Sequence, residues 1–228
     1  MSNQNIIKVL DKLTANQIAA GEVIETPSSV VKELVENSID AGSTQIIIKA
    51  DRGGIDRITV QDNGFGMSKS DLALAFERHA TSKISTAKDL DFIYSLGFRG
   101  EALPSIASVS KVEATSKTSD SMLGWQLCLE DGVQKSFKEV GCNTGTTIII
   151  NDLFYNTPAR KKYLKSPLSE MSSITNIVSK LALAFPHISF SLISNGIPVI
   201  ATPGNDSLID VIVSLWGLEI EKNLMQIS

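Results

Sequence analysis

Within residues 30–42, VVKELVENSIDAG, a glutamate, an asparagine and an aspartate recur at spacings that chemistry can use. On a helical wheel centred on Glu33, Asn37 falls at about 40° and Asp40 at about −20°. Val31, Leu34, Val35 and Ile39 gather on the far side. One face is therefore core, and the other lines up a carboxylate, an amide and a second carboxylate. An acid and an amide four residues apart suit a general base beside a magnesium ligand. A solvated polar face on an ordinary amphipathic helix has the same pattern, so the wheel alone leaves both readings open.

Three further groups narrow the choice. Asp62-Asn63-Gly64-Phe65-Gly66-Met67 has the form D-x-G-x-G and ends an alternating run, Ile58-Thr59-Val60-Gln61, that reads as a strand. An aspartate at a strand end can accept the amino hydrogen of a purine, and glycines let a flat ring approach the backbone. Asp-Asn-Gly is also a common turn. Thr81-Ser82-Lys83 and Gly97-Phe98-Arg99-Gly100-Glu101 follow, the latter opening a helix whose free amides can face phosphate. Gly145-Thr146-Thr147 then enters the β-rich run Ile148-Ile149-Ile150. No G-x-x-x-x-G-K-[ST] occurs, which excludes a P-loop route to ATP.

The order E-x-x-x-N, D-x-G-x-G, G-F-R-G-E and G-T-T resembles that of the GHKL ATPases, which include gyrase B, the large heat-shock chaperone, histidine kinases and MutL. NQIAAGEV from Asn16, RHATSK from Arg78, GFRGEAL from Gly97 and DLFYNTPAR from Asp152 are similar to hallmark segments of the MutL mismatch-repair family. The resemblance runs from about Leu13 to the last residue. It implies ATP and magnesium as cofactors, with slow ATP hydrolysis. Glu33 would be the general base and Asn37 the magnesium ligand. Asp62 would read the adenine amino group, with Gly66 and Thr147 completing the base pocket. Lys83 and the amides of Gly97, Phe98, Arg99 and Gly100 would hold phosphate, with Arg99 as a charged helper. Asp40, Ala41, Gly64, Met67, Thr81, Ser82 and Glu101 complete the expected nucleotide contacts. Positioning and electrostatics carry phosphoryl transfer, so these residue types suit the task.

The elements that must position these groups read as follows. A short helix covers 15–23. Thr26 caps the main helix, with Pro27 at its first position, and that helix runs to about Ile39. Strands at 45–50 and 56–61 join through Arg52-Gly53-Gly54 as a hairpin. A helix covers 68–78. Residues 79–98 hold no long periodic segment and form a lid candidate beside glycine hinges. A helix at 101–107 precedes strands at 109–117, 124–129, 134–139 and 146–151. A helix at 171–185 and strands at 189–194 and 198–201 close the sheet. This order predicts an α+β fold: a two-layer sandwich of helices on a mixed, mostly antiparallel sheet, which the resemblance identifies as the GHKL (Bergerat-type) architecture.

The 228 residues, 43% of them hydrophobic, suffice for a large core, and the net charge of −4 gives no domain-wide field for nucleic acid. Arg160-Lys161-Lys162 with Lys165 forms a local basic group, either a nucleic-acid patch or a solvated loop. Cys128 and Cys142 have no metal-ligand spacing, and neither His79 nor His187 has a histidine partner. The beginning, MSNQNIIKVL, lacks the pattern of a signal peptide, and no apolar run approaches a membrane span.

Residues 1–203 read as an ATP-binding domain and 204–228 as a linker and the beginning of a second α/β module. In the family that module supplies a lysine at the terminal phosphate, so the chain reads as a fragment that binds ATP, hydrolyses it very slowly and binds DNA poorly. The expected partners of the full-length protein are a second copy or a paralogue, a MutS-type mismatch sensor and DNA, with no membrane. Nucleotide would order the lid and control dimerisation. The expected location is the cytoplasm of a bacterium, or the nucleus of a eukaryote. Two rivals carry weight: a nucleotide switch that does not hydrolyse, with Glu33 as the discriminator, and a sister histidine kinase or topoisomerase, against which stand the lack of a convincing phosphoacceptor-histidine helix at His79 or His187 and the MutL-like segments.

Overall fold

The computed structural model describes residues 9, 11–83, 96–97 and 100–223. Helix α1 (Lys12–Val23) is capped by Asp11, whose side chain accepts from the Thr14 amide. Helix α2 (Pro27–Asp40) starts as its sequence dictates: Thr26 accepts from the Ser29 amide, and Pro27 occupies a position where an amide hydrogen is not needed. Val30, Val31, Leu34 and Val35 are buried along one side of it.

Strands β1 (Gln45–Asp51) and β2 (Arg57–Asp62) pair antiparallel across a short 3-10 turn at Arg52–Gly54. A brief helix, α3 (Lys69–Leu74), then gives way to turns, so the helix expected over 68–78 is little more than half that length. Helix α4 (Ala102–Ser108) leads into strands β3 (Lys111–Lys117), β4 (Gly124–Glu130), β5 (Val133–Val140) and β6 (Gly145–Asn151). Two helices follow, α5 (Pro158–Tyr163) and α6 (Pro167–Ala184). Strands β7 (Ser189–Ser194) and β8 (Ile197–Ala201), helix α7 (Leu208–Trp216) and a 3-10 run at Leu218–Asn223 complete the described chain.

The eight strands form one sheet in the order β5-β4-β3-β6-β2-β1-β7-β8. Every pairing is antiparallel except β1 with β7. Side chains alternate across the sheet. Ile46, Ile48 and Ala50 of β1, Ile58 and Val60 of β2, and Ile148 and Ile150 of β6 are buried. They share one core with Ala20 of α1, the apolar side of α2, Ile106 of α4 and Ile174 and Val178 of α6. This is the expected two-layer α+β sandwich, with helices on one face of a mixed, mostly antiparallel sheet.

Among the described residues, no helix is long and apolar enough to cross a membrane. The stretch read as a lid candidate, 79–98, falls for the most part outside the described residues, as do Phe98 and Arg99.

Candidate functional site

The sheet order places β2 at the centre, between β6 and β1, so Asp62 at its end meets the start of β6 and the underside of α2. Asp62 Oδ2 accepts from Ser38 Oγ on α2 at 2.9 Å. Its Oδ1 accepts from the Gly64 amide at 2.9 Å and from the Thr146 amide at 3.1 Å. A carboxylate offers about four lone-pair sites, two on each oxygen. Three are taken by these bonds, and the Ser43 hydroxyl also acts on the same carboxylate. Burial pushes the Asp62 carboxyl above its ordinary value, opposed by the hydrogen bonds from Gly64, Ser38 and Thr146.

Two glycines make this arrangement possible. Gly66 sits at φ +71°, and a Cβ there would come within 2.1 Å of the Lys117 carbonyl oxygen. Gly145, at φ +113°, would put a Cβ 2.2 Å from the Asp62 carbonyl oxygen. Only glycine fits both the left-handed backbone and the close approach. Next to them the Met67 amide donates to the buried Ser116 Oγ at 2.7 Å.

Asp62 opens into a cleft of about 1370 Å³ between α2, the D-x-G-x-G turn and the segments on either side of α3 and α4. Glu33, Asn37, Asp40 and Ala41 line it from α2, and Gly66 and Met67 from the turn. Thr81, Ser82 and Lys83 enter from the segment after α3, and Gly97, Gly100 and Glu101 from the approach to α4. The face read from the helical wheel is therefore a cleft wall rather than a solvated surface. Gly64 is buried beneath it and contributes its amide to Asp62.

Charges are paired within the cleft. Lys32 Nζ lies 3.4 Å from Glu33 Oε1 and 2.8 Å from Glu36 Oε2. Burial works against the Lys32 charge, but the hydrogen bond to Glu36 and the charge of Glu33 outweigh it and hold its amine above the ordinary value. Lys83 Nζ donates to Asn37 Oδ1 at 3.1 Å and to Asp40 Oδ2 at 2.5 Å. The Leu96 amide donates to the other oxygen of Asp40 at 3.2 Å. The Glu101 carboxylate is occupied by His79 Nδ1 at 2.8 Å and by Arg78 at 3.6 Å.

One expected contact is corrected. Thr147 does not border the cleft; Thr146 and Ile148 do. Strand alternation puts Thr147 with Gln61 and Thr115 on the outer face, where they line a separate hollow of about 90 Å³ with Cys142, too small for a purine. The motif was read in the right strand but one residue out of phase. Sequence reasoning also missed Ser38, Lys32 and Glu36. Glu36 lies on the wheel between Lys32 and Asp40 and was legible there, but nothing in the sequence foretells that Ser38 meets Asp62.

No group of three or more His, Cys, Asp or Glu side chains that could hold a metal ion occurs among the described residues. The oxygens that fit magnesium are Asn37 Oδ1 and the Asp40 carboxylate, hard donors already drawn together around one positive charge, the Lys83 ammonium. So few carboxylates suit a cation that takes most of its ligands from phosphate and water.

Residues 24–151 match the model of the histidine kinase-, DNA gyrase B- and HSP90-like ATPases. Over all 228 residues the chain is 49% identical to the DNA mismatch repair protein MutL of Desulforamulus reducens, covering 35% of that protein. With the MutL protein of Clostridium acetobutylicum it shares 52% identity over 219 residues, 96% of this chain and 35% of that one. The chain thus spans about a third of the length of the curated relatives it matches. Among solved structures, the Aquifex aeolicus MutL ATPase domain complexed with ADP is 30% identical, with a TM-score of 0.68, over 85% of this chain and 70% of that one. The N-terminal domain of a DNA repair protein is also 30% identical, with a TM-score of 0.76, over 90% and 60%.

Proposed function

The chain belongs to the MutL family within the histidine kinase-, DNA gyrase B- and HSP90-like ATPases, and from that premise we propose that it binds ATP over α2 and hydrolyses it. The observation that carries this reading is the Asp62 carboxylate, held by Ser38, Gly64 and Thr146 where it lines a cleft large enough for a nucleotide. As an acceptor it suits the amino group of adenine and is mismatched to the carbonyl of guanine. Ala41, Gly66 and Met67 wall the base, with Thr146 in the role first given to Thr147.

Glu33 orients a water against the terminal phosphate. As the water oxygen bonds to phosphorus, Glu33 takes its proton, and the bond from phosphorus to the bridging oxygen breaks with its electron pair staying on ADP. Lys32 holds Glu33 from one side without closing the cleft side. Asn37, with Asp40 beside it, would hold magnesium, which when bound supplies positive charge to the phosphate oxygens. Lys83, the hydroxyls of Thr81 and Ser82, and the amides of Gly97 and Gly100 take the phosphates. Arg99 and Phe98 lie outside the described residues and keep their assignment from the sequence alone. Glu101, tied to Arg78 and His79, borders the cleft at the start of α4 beside the expected phosphate contacts.

The similarity to mismatch-repair proteins supports a place in DNA repair, with a second copy or a paralogue, a MutS-type sensor and DNA as partners, and the bacterial relatives support action in the cytoplasm. Nucleotide-driven ordering of a lid over 79–98, control of dimerisation, and the division of the chain into 1–203 and 204–228 are part of the same proposal. Leu208, Ile209 and Trp216, exposed on α7, support the last. Calorimetric titration with ATP and GTP, followed by a phosphate-release assay, tests the central reading. Tight ATP binding, weak GTP binding and slow turnover are expected; equal affinity for the two purines overturns the role of Asp62.

A further inference from the structure

The Lys83 ammonium occupies a position that a metal ion would contest. It donates at once to Asn37 Oδ1, 3.1 Å away, and to Asp40 Oδ2, 2.5 Å away. It also lies beside Gly97, where a Cβ would stand 3.7 Å from Nζ. The side chains of Lys83 and Asp40 are only 19% and 16% exposed, so neither charge is spread into bulk water. The Leu96 amide takes the remaining oxygen of Asp40. The lysine therefore bridges α2 to the segments expected to grip phosphate.

We propose that Lys83 is a built-in counter-ion that fills the cation position beside Asn37 and Asp40, so that Lys83 and a divalent cation exclude each other there. This rests on reading the cleft as an ATP site. Three observations carry it. Asn37 Oδ1, the oxygen suited to magnesium, is engaged by the ammonium. Asp40, half-enclosed, needs a positive partner whenever the metal is absent, because an unpaired carboxylate at low exposure is strongly disfavoured. Among the described residues no three His, Cys, Asp or Glu side chains form a group that could hold a metal ion, so Asn37 and Asp40 depend on further ligands to keep one. A dication and an ammonium sharing one oxygen would repel strongly at this burial.

The consequence is an ordered exchange. Without nucleotide, the lysine satisfies Asp40 and blocks Asn37. When phosphates arrive with their cation, Lys83 would release Asn37 Oδ1, which would then be open to hold the cation, and the ammonium would find its new partner in the phosphates themselves. One side chain thus neutralises the site when empty and grips the ligand when full, and the metal gains entry only in company with the nucleotide.

Manganese(II), which broadens nearby nuclear magnetic resonance signals, tests this without turnover. In nucleotide-free protein, the side-chain amide of Asn37 should resist broadening in the wild type. It should broaden in Lys83→Met and Lys83→Gln at about tenfold lower manganese, the factor a charge-assisted hydrogen bond is worth. Adding Asp40→Asn to Lys83→Met should abolish the gain. Two different replacements guard against a local folding fault in either one, and unchanged amide spectra elsewhere verify the fold. Equal manganese thresholds in the wild type and both variants overturn the proposal. Calorimetry with ATP separates the two readings: absent nucleotide binding with lowered thresholds sinks the ATP site alone, and binding with equal thresholds sinks the exchange alone.

Discussion

At the scale of single residues, Asp62 shows how a side chain acquires selectivity from what already holds it. Its Oδ1 must accept two backbone amides, so an asparagine at this place is forced to turn its amide oxygen there and its NH₂ toward Ser38 and the cleft. Ser38 can adapt, because its hydroxyl also lies 3.1 Å from the Leu34 carbonyl. Asp62→Asn should therefore fold, lose about tenfold or more in ATP affinity, and shift its preference toward inosine triphosphate, which presents a carbonyl. An unchanged ratio of the two affinities by calorimetry would contradict the assignment. The raised carboxyl adds a pH dependence. Above its folded-state value the buried charge costs stability, so this group's effect on folding is most favourable at low pH and is lost as pH rises through that value. Nucleotide binding has the opposite sign, since the carboxylate is the form that accepts. ATP affinity should fall as pH drops through a range above the ordinary aspartate value of about 4, with Asp62→Asn lacking that component. Glu33 makes a different prediction. Glu33→Ala should leave ATP affinity within a few-fold and reduce turnover about a hundredfold or more, as loss of a positioned base does. Phosphate release measured beside binding distinguishes this from a loss of the site.

At the scale of elements, legibility followed local chemistry. Helix α2 was readable in full, because its cap, its proline and its apolar stripe are all written within it, and the buried set agrees. The same Ser/Thr-Pro signature opens α5 at Thr157-Pro158 and α6 at Ser166-Pro167, whereas the apolar period predicts the latter helix only from residue 171 and gives no helix at the former. The caps and prolines lie ahead of the apolar period and mark the true starts. Glu170 even completes the start of α6, its carboxylate accepting from the Lys165 amide at 2.8 Å. Thr147 stood in for Thr146 for the reverse reason. Strand parity depends on which face the neighbours bury, and two consecutive threonines give no local sign of it. The turn from β2 to α3 yields a prediction at this scale. Gly66→Ala combines a left-handed backbone with a contact of 2.1 Å to the carbonyl at the end of β3, neither of which can relax without moving a strand. Such strain costs about 1–3 kcal/mol. A urea midpoint lowered accordingly, with weaker ATP binding, is expected; a midpoint equal to that of the wild type would show that the turn yields freely.

At the scale of the whole molecule, the cleft gathers residues from position 22 to position 148, and its wall is continuous only because β2 pairs with both β1 and β6. That strand order is a matter of long-range register, which periodicity does not encode, and it alone decides that Asp62 meets Thr146. The same dispersion makes the site a reporter of the entire fold. A ligand that bridges α2, the end of β2 and the start of α4 binds only the folded state, so it must stabilise the fold by mass action. At a concentration a hundredfold above its dissociation constant the gain is about 2.7 kcal/mol. For a domain of about 150–250 residues each kcal/mol moves the melting temperature by about 2–4 °C. ATP with magnesium should therefore raise Tm by about 5–10 °C, and GTP at the same concentration should not. Asp62→Ala, which removes the acceptor, should abolish the ATP shift, whereas Glu33→Ala should keep it, since that residue acts on the water and not on the bound nucleotide. A shift equal for both nucleotides would place the binding energy in the phosphates alone and leave the base unread; a shift lost in Glu33→Ala would return that glutamate to the ranks of binding residues.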